Sequence, residues 1–185
     1  AQMAYNALNA EEQLLVDCTR LKALEEILQP FLLMVLLEVP MPSWEGEGTE
    51  DKPYEIKDAD GLRELQTYVN GGNDCSGTFF KLTANIDLLD EEWMPIGFMD
   101  TDTWDMSWFA GTLDGDSHTI EGLKITEAGA YKGLFGYVSG GTIKNLTVSG
   151  EITQDKPDST GCIGGIAGIS EYANIENCES NVAIT

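Results

Sequence analysis

The chain has 185 residues, of which 10 are basic and 32 acidic, so its formal net charge is −22 at pH 7. A surface this negative repels phosphate groups, which argues against nucleic acid and anionic membranes as partners. The hydrophobic fraction of 42% is enough for a packed core, so the composition excludes wholesale disorder.

The cysteines and the single histidine predict no zinc centre. Cys18, Cys75, Cys162 and Cys178 form no C-x-x-C pair, and a site built from them and His118 has no recognisable spacing. We expect mostly free thiols that pack as small apolar residues.

Residues 1–42 have the pattern of a short helical segment, the end of a helical spacer or a cap. Asn9 is a predicted N-cap with Glu12 as its capping-box partner, and apolar residues follow at helical spacing. The longest apolar run, residues 31–37, is too short to cross a bilayer, so no membrane insertion is predicted. Residues 43–53 are polar and contain glycine, which predicts a linker.

The third predicted segment, residues 54–185, begins with a strand at Tyr54–Ile56 and a helix from Asp58 to Val69. Asp58 is a suitable N-cap, apolar residues recur on one helical face, and a Gly-Gly pair ends the pattern. We expect this helix to cap the N-terminal end of the domain. Short β-rich runs follow from Thr78 onward.

After Trp93 the sequence contains an internal repeat, its most informative feature. A motif bounded by glycines occurs twice, 32 positions apart, and the match continues without a gap. The two copies comprise Gly133, Leu134, Phe135 and Gly136 in the first, and Gly165 to Gly168 in the second. An earlier partial copy, residues 119–125, matches residues 142–148 at an offset of 23.

Each copy holds short strands with alternating apolar residues and has no second sheet on which to pack. Such a unit buries its apolar face by coiling and stacking on its neighbour, which predicts a β-solenoid. A β-sandwich is the alternative, but it does not predict a gap-free repeat. The expected interior ladders are Ile120 with Ile143 and Ile175, and Leu123 with Leu146 and Cys178.

At these residues the sequence resembles the GLUG-motif proteins, a family of repeats in bacterial cell-surface proteins. The two motif copies carry the resemblance, together with residues 93–97, 109–120 and 141–148. The resemblance implies a mostly β fold in which residues 54–185 form a right-handed parallel β-helix, cut short at its C-terminal end. It also implies a place on the outside of a bacterium, in a long adhesin-like chain with further domains.

The N-terminal stretch from Ala4 to Val16 resembles the helical spacer repeats of Gram-positive surface proteins. The two resemblances together imply an extracellular location on a Gram-positive cell surface. A host or environmental glycan or protein is the partner that such a location implies.

The predicted binding site is an acidic loop with two tryptophans. Asp100, Asp102 and Asp105 present carboxylates that suit Ca²⁺, although six or more oxygen ligands are needed and the spacing is not that of an EF-hand. A solvated acidic loop is the alternative, so no cofactor is assigned. Trp104 and Trp108 suit sugar stacking or protein contact, with packing into the turn as the alternative for Trp108.

Asp114, Gly115 and His118 are predicted to form a structural corner between two strands. In this interpretation Asp114 accepts a hydrogen bond from its own backbone and Gly115 takes a positive φ. A general-base role for His118 is the alternative, and it would need a nucleophile or an orienting carboxylate.

The sequence assigns no catalytic residue and predicts a non-catalytic extracellular module for adhesion, ligand binding or spacing. One alternative is a carbohydrate-active β-helix enzyme that hydrolyses glycans with two carboxylates. Another is a Ca²⁺-stabilised structural stalk. A lyase is disfavoured because Arg20 and Arg63, the two arginines, both lie in predicted helices.

Overall fold

The computed structural model describes residues 43–99, 105–127, 129–154 and 161–185. They belong to one compact unit, Pro42–Thr185. The helical segment predicted for residues 1–42, with its resemblance to spacer repeats, lies outside the described residues. The boundaries drawn from the sequence, 1–42, 43–53 and 54–185, therefore stay a prediction.

The fold is mostly β, as predicted, and the described residues contain one helix and fifteen strands. In chain order these are β1 (Tyr54–Ile56), α1 (Ala59–Asn70), β2 (Phe79–Leu82), β3 (Ile86–Asp87), β4 (Phe98–Met99), β5 (Met106–Ser107), β6 (Thr112–Asp114), β7 (Thr119–Ile125), β8 (Tyr131–Lys132), β9 (Phe135–Ser139), β10 (Thr142–Lys144), β11 (Thr147–Ile152), β12 (Cys162–Ile163), β13 (Ala167–Glu171), β14 (Asn174–Glu176) and β15 (Glu179–Ile184).

Helix α1 forms where the sequence predicts it. The Asp58 carboxylate accepts a hydrogen bond from the Gly61 amide at 2.9 Å and so caps the first turn. Leu62, Leu65 and Val69 are fully buried along one face. The cap and the apolar face that identify the helix in the sequence therefore also attach it to the core.

The segment before β1, residues 43–53, packs against these first elements. The Trp44 ring centroid lies 5.5 Å from that of Tyr54 and 5.0 Å from that of Phe80. Its Nε1 also donates a hydrogen bond to the Gly61 carbonyl oxygen at 3.0 Å. The segment assigned to a linker thus contributes an aromatic side chain to the compact unit.

Strand pairing follows a regular rule along the chain. The strands form one sheet in the order β1-β2-β6-β10-β14, a second in the order β15-β11-β7-β3, and the pairs β12-β8, β13-β9 and β4-β5. Eight of these ten pairs join a strand to the fourth strand after it, and all eight are parallel. Each group of four strands therefore lies beside the corresponding group before it.

The 32-position repeat in the sequence equals the offset between paired residues in these strands. Ile143 pairs with Ile175 and Thr147 pairs with Glu179, each 32 positions further on. The β9–β13 pair has the same offset. The repeat seen in the sequence is therefore confirmed as a repeat of strand neighbours.

The predicted match at an offset of 23 is wrong. Ile120 pairs with Val148 rather than with Ile143, and Ile143 pairs with Leu113 instead. The ladder that includes Ile175 accordingly runs through Ile143, Leu113 and Phe80, and Ile120 belongs to the other sheet.

The error arises because a straight strand and a strand corner share the same apolar spacing. Residues 119–125 form the single strand β7, whereas residues 142–148 run from β10 into β11 through Asn145, which has a φ of 53°. The second expected ladder is wrong for the same reason, since Leu123 pairs with Gly150. Only the pairing register separates the two cases.

Aromatic rings from successive repeats meet in the core. The Phe109 ring centroid lies 6.1 Å from that of Phe80 and 5.1 Å from that of Phe135. Trp93 is buried beside them and donates its Nε1 hydrogen to the Leu134 carbonyl oxygen at 3.0 Å. The buried indole is therefore satisfied, as a buried polar group must be.

Three of the four cysteines are described, and they are free thiols, as predicted: Cys75, Cys162 and Cys178. Burial, assisted by the nearby Asp74 carboxylate, raises the pKa of Cys75 to about 12. That thiol is protonated and unreactive at neutral pH. Cys162 is exposed, and Cys18 lies outside the described residues.

Candidate functional site

The predicted binding loop lies between β4 and β5, which pair in antiparallel fashion. Phe98 pairs with Ser107 at the base of the loop, and Asp105 is exposed just before β5. This antiparallel pairing differs from the parallel pairing between repeats, and an insertion of extra residues at this point would produce such a difference. The remaining loop candidates lie outside the described residues: Asp100, Asp102 and Trp104.

The last residue of α1, Asn70, holds the base of this loop. Its Oδ1 accepts hydrogen bonds from the Gly97 amide at 2.8 Å and from Ser107 Oγ at 3.4 Å, and its Nδ2 donates to the Pro95 carbonyl oxygen at 3.1 Å. Ser107 Oγ in turn accepts from the Phe98 amide at 3.2 Å. Sequence reasoning took Asn70 only as a helix end, because its partners are distant in the chain.

Trp108 is half-buried beside the loop, in contact with Tyr137 of the next repeat. The two ring centroids are 6.5 Å apart with the ring planes at 58°. Tyr137 pairs with Ile169 of β13, so the side chains of Trp108, Tyr137 and Ile169 form one half-exposed column. Tyr137 Oη donates to Glu171 Oε2 at 2.8 Å, and this bond, with partial burial, raises the pKa of Tyr137.

The residues predicted to suit Ca²⁺ are not brought together by anything the structure describes. Asp105 is the described member of the three, and it is exposed. Within the described ranges, no group of three or more His, Cys, Asp or Glu side chains is arranged to hold a metal ion. The sequence assigns no metal, and Ca²⁺ binding by these residues stays an untested alternative to a solvated acidic loop.

The corner at Asp114 is built differently from the prediction. Asp114 Oδ1 accepts a hydrogen bond from the Asp116 amide at 2.9 Å, as expected. The positive φ angles, however, belong to Asp116 and Ser117, at 47° and 69°, and the expectation for Gly115 is wrong. Gly115 is needed for another reason, because a Cβ there would lie 2.4 Å from the Asn145 carbonyl oxygen.

His118 lies at the end of this corner, against the preceding repeat. Its Nδ1 is 3.2 Å from Asn85 Oδ1, which also accepts from the Thr119 amide at 3.0 Å. Its own amide donates to the Gly115 carbonyl oxygen at 2.7 Å. The ring therefore joins two neighbouring corners, and its structural role stays a prediction.

A ladder of polar side chains joins three successive corners. Asn177 Nδ2 donates to Asn145 Oδ1 at 3.3 Å, Asn145 Nδ2 donates to Asp114 Oδ1 at 2.9 Å, and Lys144 Nζ lies 3.3 Å from Asp114 Oδ2. Partial burial acts to raise the pKa of Asp114, but the bonds from Asn145, the Asp116 amide and Lys144 outweigh it and lower that pKa. The sequence shows the repeated asparagines but not the aspartate that ends the ladder.

Asp114 should make the stability of the fold depend on pH. Its folded-state pKa lies below the ordinary 3.8 of the unfolded chain, so its charge stabilises the fold above that pH and the effect is lost as the pH falls through the folded-state pKa. We expect Asp114→Asn to lower the free energy of unfolding at neutral pH and to flatten its decline below about pH 4. Urea unfolding at neutral and acidic pH measures this, with exposed Asp51→Asn as the control. Equal acid sensitivity of Asp114→Asn and the wild type would contradict it.

The first copy of the repeated motif combines core residues with a glycine that permits close approach. Leu134 and Phe135 are fully buried. A Cβ on Gly136 would lie 2.2 Å from the Gly97 carbonyl oxygen, far inside contact distance. Glycine at this position is therefore a requirement of the packing between neighbouring strands.

The other motif glycines are crowded in the same way. A Cβ on Gly133 would lie 2.4 Å from the Gly164 carbonyl oxygen, and one on Gly165 would lie 2.0 Å from Ser180 Oγ. At Gly168 the nearest backbone atoms are 3.0 Å away. The motif is thus explained by strand-to-strand packing without any ligand.

A pocket of about 310 Å³ lies near the N-terminal end of the described residues. Carboxylates dominate its lining, namely Glu45, Glu55, Asp58, Asp60 and Glu64. These acids come from the segment before β1, from β1 and from the start of α1. The glycan-hydrolase alternative predicts a groove lined from successive repeats, and this pocket is built otherwise.

Comparison with known proteins matches the GLUG motif to residues 159–185. The chain is 34% identical over 174 residues to halomucin of Haloquadratum walsbyi, an alignment that covers 75% of this chain and 2% of that protein. It is 32% identical over 141 residues to a protein of Evansella cellulosilytica described as a Gly-rich membrane protein, covering 71% of this chain and 15% of that protein. No solved structure matches the chain.

The chain thus spans a small part of the length of each of these relatives. In the part of the chain that the structure describes, no helix has the length and apolar character needed to cross a membrane. The match to the motif and the similarity to these two proteins confirm the resemblance drawn from the repeat. Residues 159–185 of this chain match the GLUG motif, and the chain is similar to proteins of this kind.

Proposed function

We propose that this chain is a non-catalytic module of a larger extracellular cell-surface protein, in which residues 54–185 form a right-handed parallel β-helix that spaces domains or binds a ligand. The observation that carries the proposal is that eight of the ten strand pairs join a strand to the fourth strand after it. A chain that returns to the same edge after every four strands builds a coil whose length grows with the number of repeats.

The pattern of side-chain burial supports the coil interpretation. Leu113 and Ile143 are fully buried, while the residues on either side of each are partly exposed. Strand spacing of about 4.8 Å satisfies the backbone along the stack without a second sheet. The right hand is proposed because crossovers between parallel strands are almost always right-handed.

The cell-surface role is supported by the relatives and by the charge. One relative is named a halomucin and another a Gly-rich membrane protein, and both are much longer than this chain. A net charge of −22 keeps an exposed protein soluble. A bacterial, Gram-positive surface remains the prediction from the N-terminal resemblance.

For ligand binding, the face around Trp108 and Tyr137 is the proposed contact. Both rings are half-exposed, and the exposed Asp105 precedes Trp108 by three residues in the chain. Aromatic rings with carboxylates in the same segment suit a glycan or a protein side chain. Trp104, which the sequence also predicts for this site, would extend the same face.

The binding proposal is tested by presenting the full chain to arrays of glycans and host proteins. We expect a retained ligand, no cleavage product, and a loss of roughly tenfold in affinity for Trp108→Ala, since one aromatic anchor contributes on the order of 1–2 kcal/mol. Tyr172→Ala, at a side chain that is 97% exposed, is the matched control. Cleavage of a glycan would support the carbohydrate-active alternative instead, and equal binding by both variants would place the site elsewhere.

The Ca²⁺ prediction is tested by thermal melting with added Ca²⁺ and with chelator. A cation that binds the folded chain raises the melting temperature with its concentration. On the Ca²⁺-stabilised alternative, the combined change Asp100→Asn, Asp102→Asn and Asp105→Asn should abolish that rise. A melting temperature that does not respond to Ca²⁺ would remove the Ca²⁺-stabilised stalk as an alternative.

A further inference from the structure

One surface column crosses all five strands of the largest sheet. In the order β1, β2, β6, β10 and β14, its paired residues are Glu55, Lys81, Asp114, Lys144 and Glu176. The charges alternate in sign at every step. Opposite charges on directly paired strands stabilise a sheet, whereas like charges destabilise it, so the column favours this strand order.

The contacts of the two lysines in this column are with acidic side chains. Lys144 Nζ lies 3.3 Å from Asp114 Oδ2, and Lys81 Nζ lies 2.9 Å from Asp116 Oδ2 at the same corner. The bond and charge of Asp116, followed by the charges of Asp114 and Glu55, raise the pKa of Lys81. Lys144 therefore contacts an acid of the preceding strand in the sheet, and Lys81 contacts an acid at the corner after β6.

Within the described residues, the outermost charge of the column is an acid, Glu176. Lys144 bonds to Asp114, and Glu176 forms no ion pair within the part of the chain that is described. The neighbouring Ile175 belongs to the interior ladder but is 42% exposed. Asn177 donates to Asn145, and its own Oδ1 accepts no hydrogen bond among the described residues.

Strand β15, which follows β14 in the chain, has the same kind of edge. Among the described residues, strands β14 and β15 are the outermost members of their sheets, so one side of each backbone has no strand partner there. Ile184 continues the column of Ile125 and Ile152 and is 51% exposed. We call the unpaired sides of Asn174–Glu176 and Glu179–Ile184 the C-terminal edge.

We propose that the C-terminal edge pairs in parallel with a further GLUG-type coil that places a lysine or arginine on Glu176. Charge complementarity identifies this occupant, since the column requires a cation next. The same coil would place an apolar residue on Ile175 and an asparagine on Asn177, which is the pattern of Ile143, Lys144 and Asn145 one repeat earlier. The inference rests on the β-helix of the proposed function and adds the chemistry of its partner.

A second copy of this chain is a poor occupant of the edge. The last coil presents Glu171, Glu176 and Glu179 as exposed acids, and two such edges would bring like charges together. The net charge of −22 on each copy adds long-range repulsion. Self-association through this edge is therefore expected to be absent.

The test extends the full chain by one coil. A copy of residues 154–185, one 32-residue repeat, is joined after Thr185 so that the copied Glu176 lies on the original. Four proteins combine two changes: the copied Glu176 is kept or replaced by Lys, and the original carries Glu176→Lys or does not. Melting temperature and amide exchange in β14 and β15 are measured for all four.

Opposite charges across the junction should give the higher melting temperature and slower exchange in β14 and β15, by about tenfold for each 1.4 kcal/mol of added stability. When the original residue is Glu176, the copy with Lys should be the more stable one. When the original carries Glu176→Lys, the copy that keeps Glu should be the more stable one. Added salt should reduce both differences in stability. Equal protection in all four extended proteins would overturn the charge requirement while leaving the β-helix intact. No protection in any of them would overturn stacking itself, and a dimer of the unextended chain in light scattering would show the wrong occupant. None of these results depends on array binding, which tests the surface role separately.

Discussion

Gly136→Ala should destabilise the fold by about 2–4 kcal/mol, the range expected when an atom is forced into a packed site with rigid neighbours. The added Cβ would lie 2.2 Å from the Gly97 carbonyl oxygen and 3.0 Å from Pro95 Cβ. The backbone at Gly136 does not require a positive φ, so the effect comes from contact and not from backbone strain. Because both neighbours belong to the preceding repeat, relief of the clash must separate two strands.

Guanidinium unfolding of the purified chain measures this loss of stability. Gly129→Ala is the matched control, since no atom lies within 4 Å of a Cβ at that position, and it should change stability by less than about 0.5 kcal/mol. Equal midpoints for Gly136→Ala and Gly129→Ala would mean that the strands are not packed as described.

Phe135→Ala should be more damaging still, at about 3–5 kcal/mol. Phe135 is fully buried, and its ring lies 5.1 Å from Phe109, which in turn contacts Phe80. Removal of the ring leaves a cavity between neighbouring repeats, and rigid strands on either side limit its collapse. Since a domain of this kind is stable by only about 5–15 kcal/mol, one such change removes a large part of the total.

The controls for Phe135 separate volume from position. Phe135→Leu keeps most of the apolar volume and should cost about half as much as the alanine variant or less. Tyr172→Ala removes an aromatic side chain that is 97% exposed and should be close to neutral. Similar losses for Phe135→Ala and Tyr172→Ala would contradict the core described around Phe109.

Features that depend only on residues close together in the sequence were predictable. Helix α1 follows from the Asp58 cap and an apolar face of Leu62, Leu65 and Val69, all within twelve residues. The 32-residue repeat is equally visible, because Ile143 and Ile175 occupy matching places in two copies. These signals need no knowledge of which strands pair.

Features that depend on register could not be predicted. Two strand corners of different length separate Leu113 from Ile120 and Ile143 from Val148, so similar apolar spacing led to the wrong ladder. The Asn70 contacts with the loop base and the alternating charge column share this property, since their partners are brought together only by the stacking. The motif glycines were identified by their repetition, but their crowding appears only in three dimensions.

The measurement that tests the stacking most directly is a set of nuclear Overhauser effects between backbone protons of the labelled chain. The account predicts parallel cross-strand contacts of Ile143 with both Leu113 and Ile175, and of Ile120 with Val148. Contacts between Ile120 and Ile143, or an antiparallel pattern between these strands such as a β-sandwich would give, would contradict it.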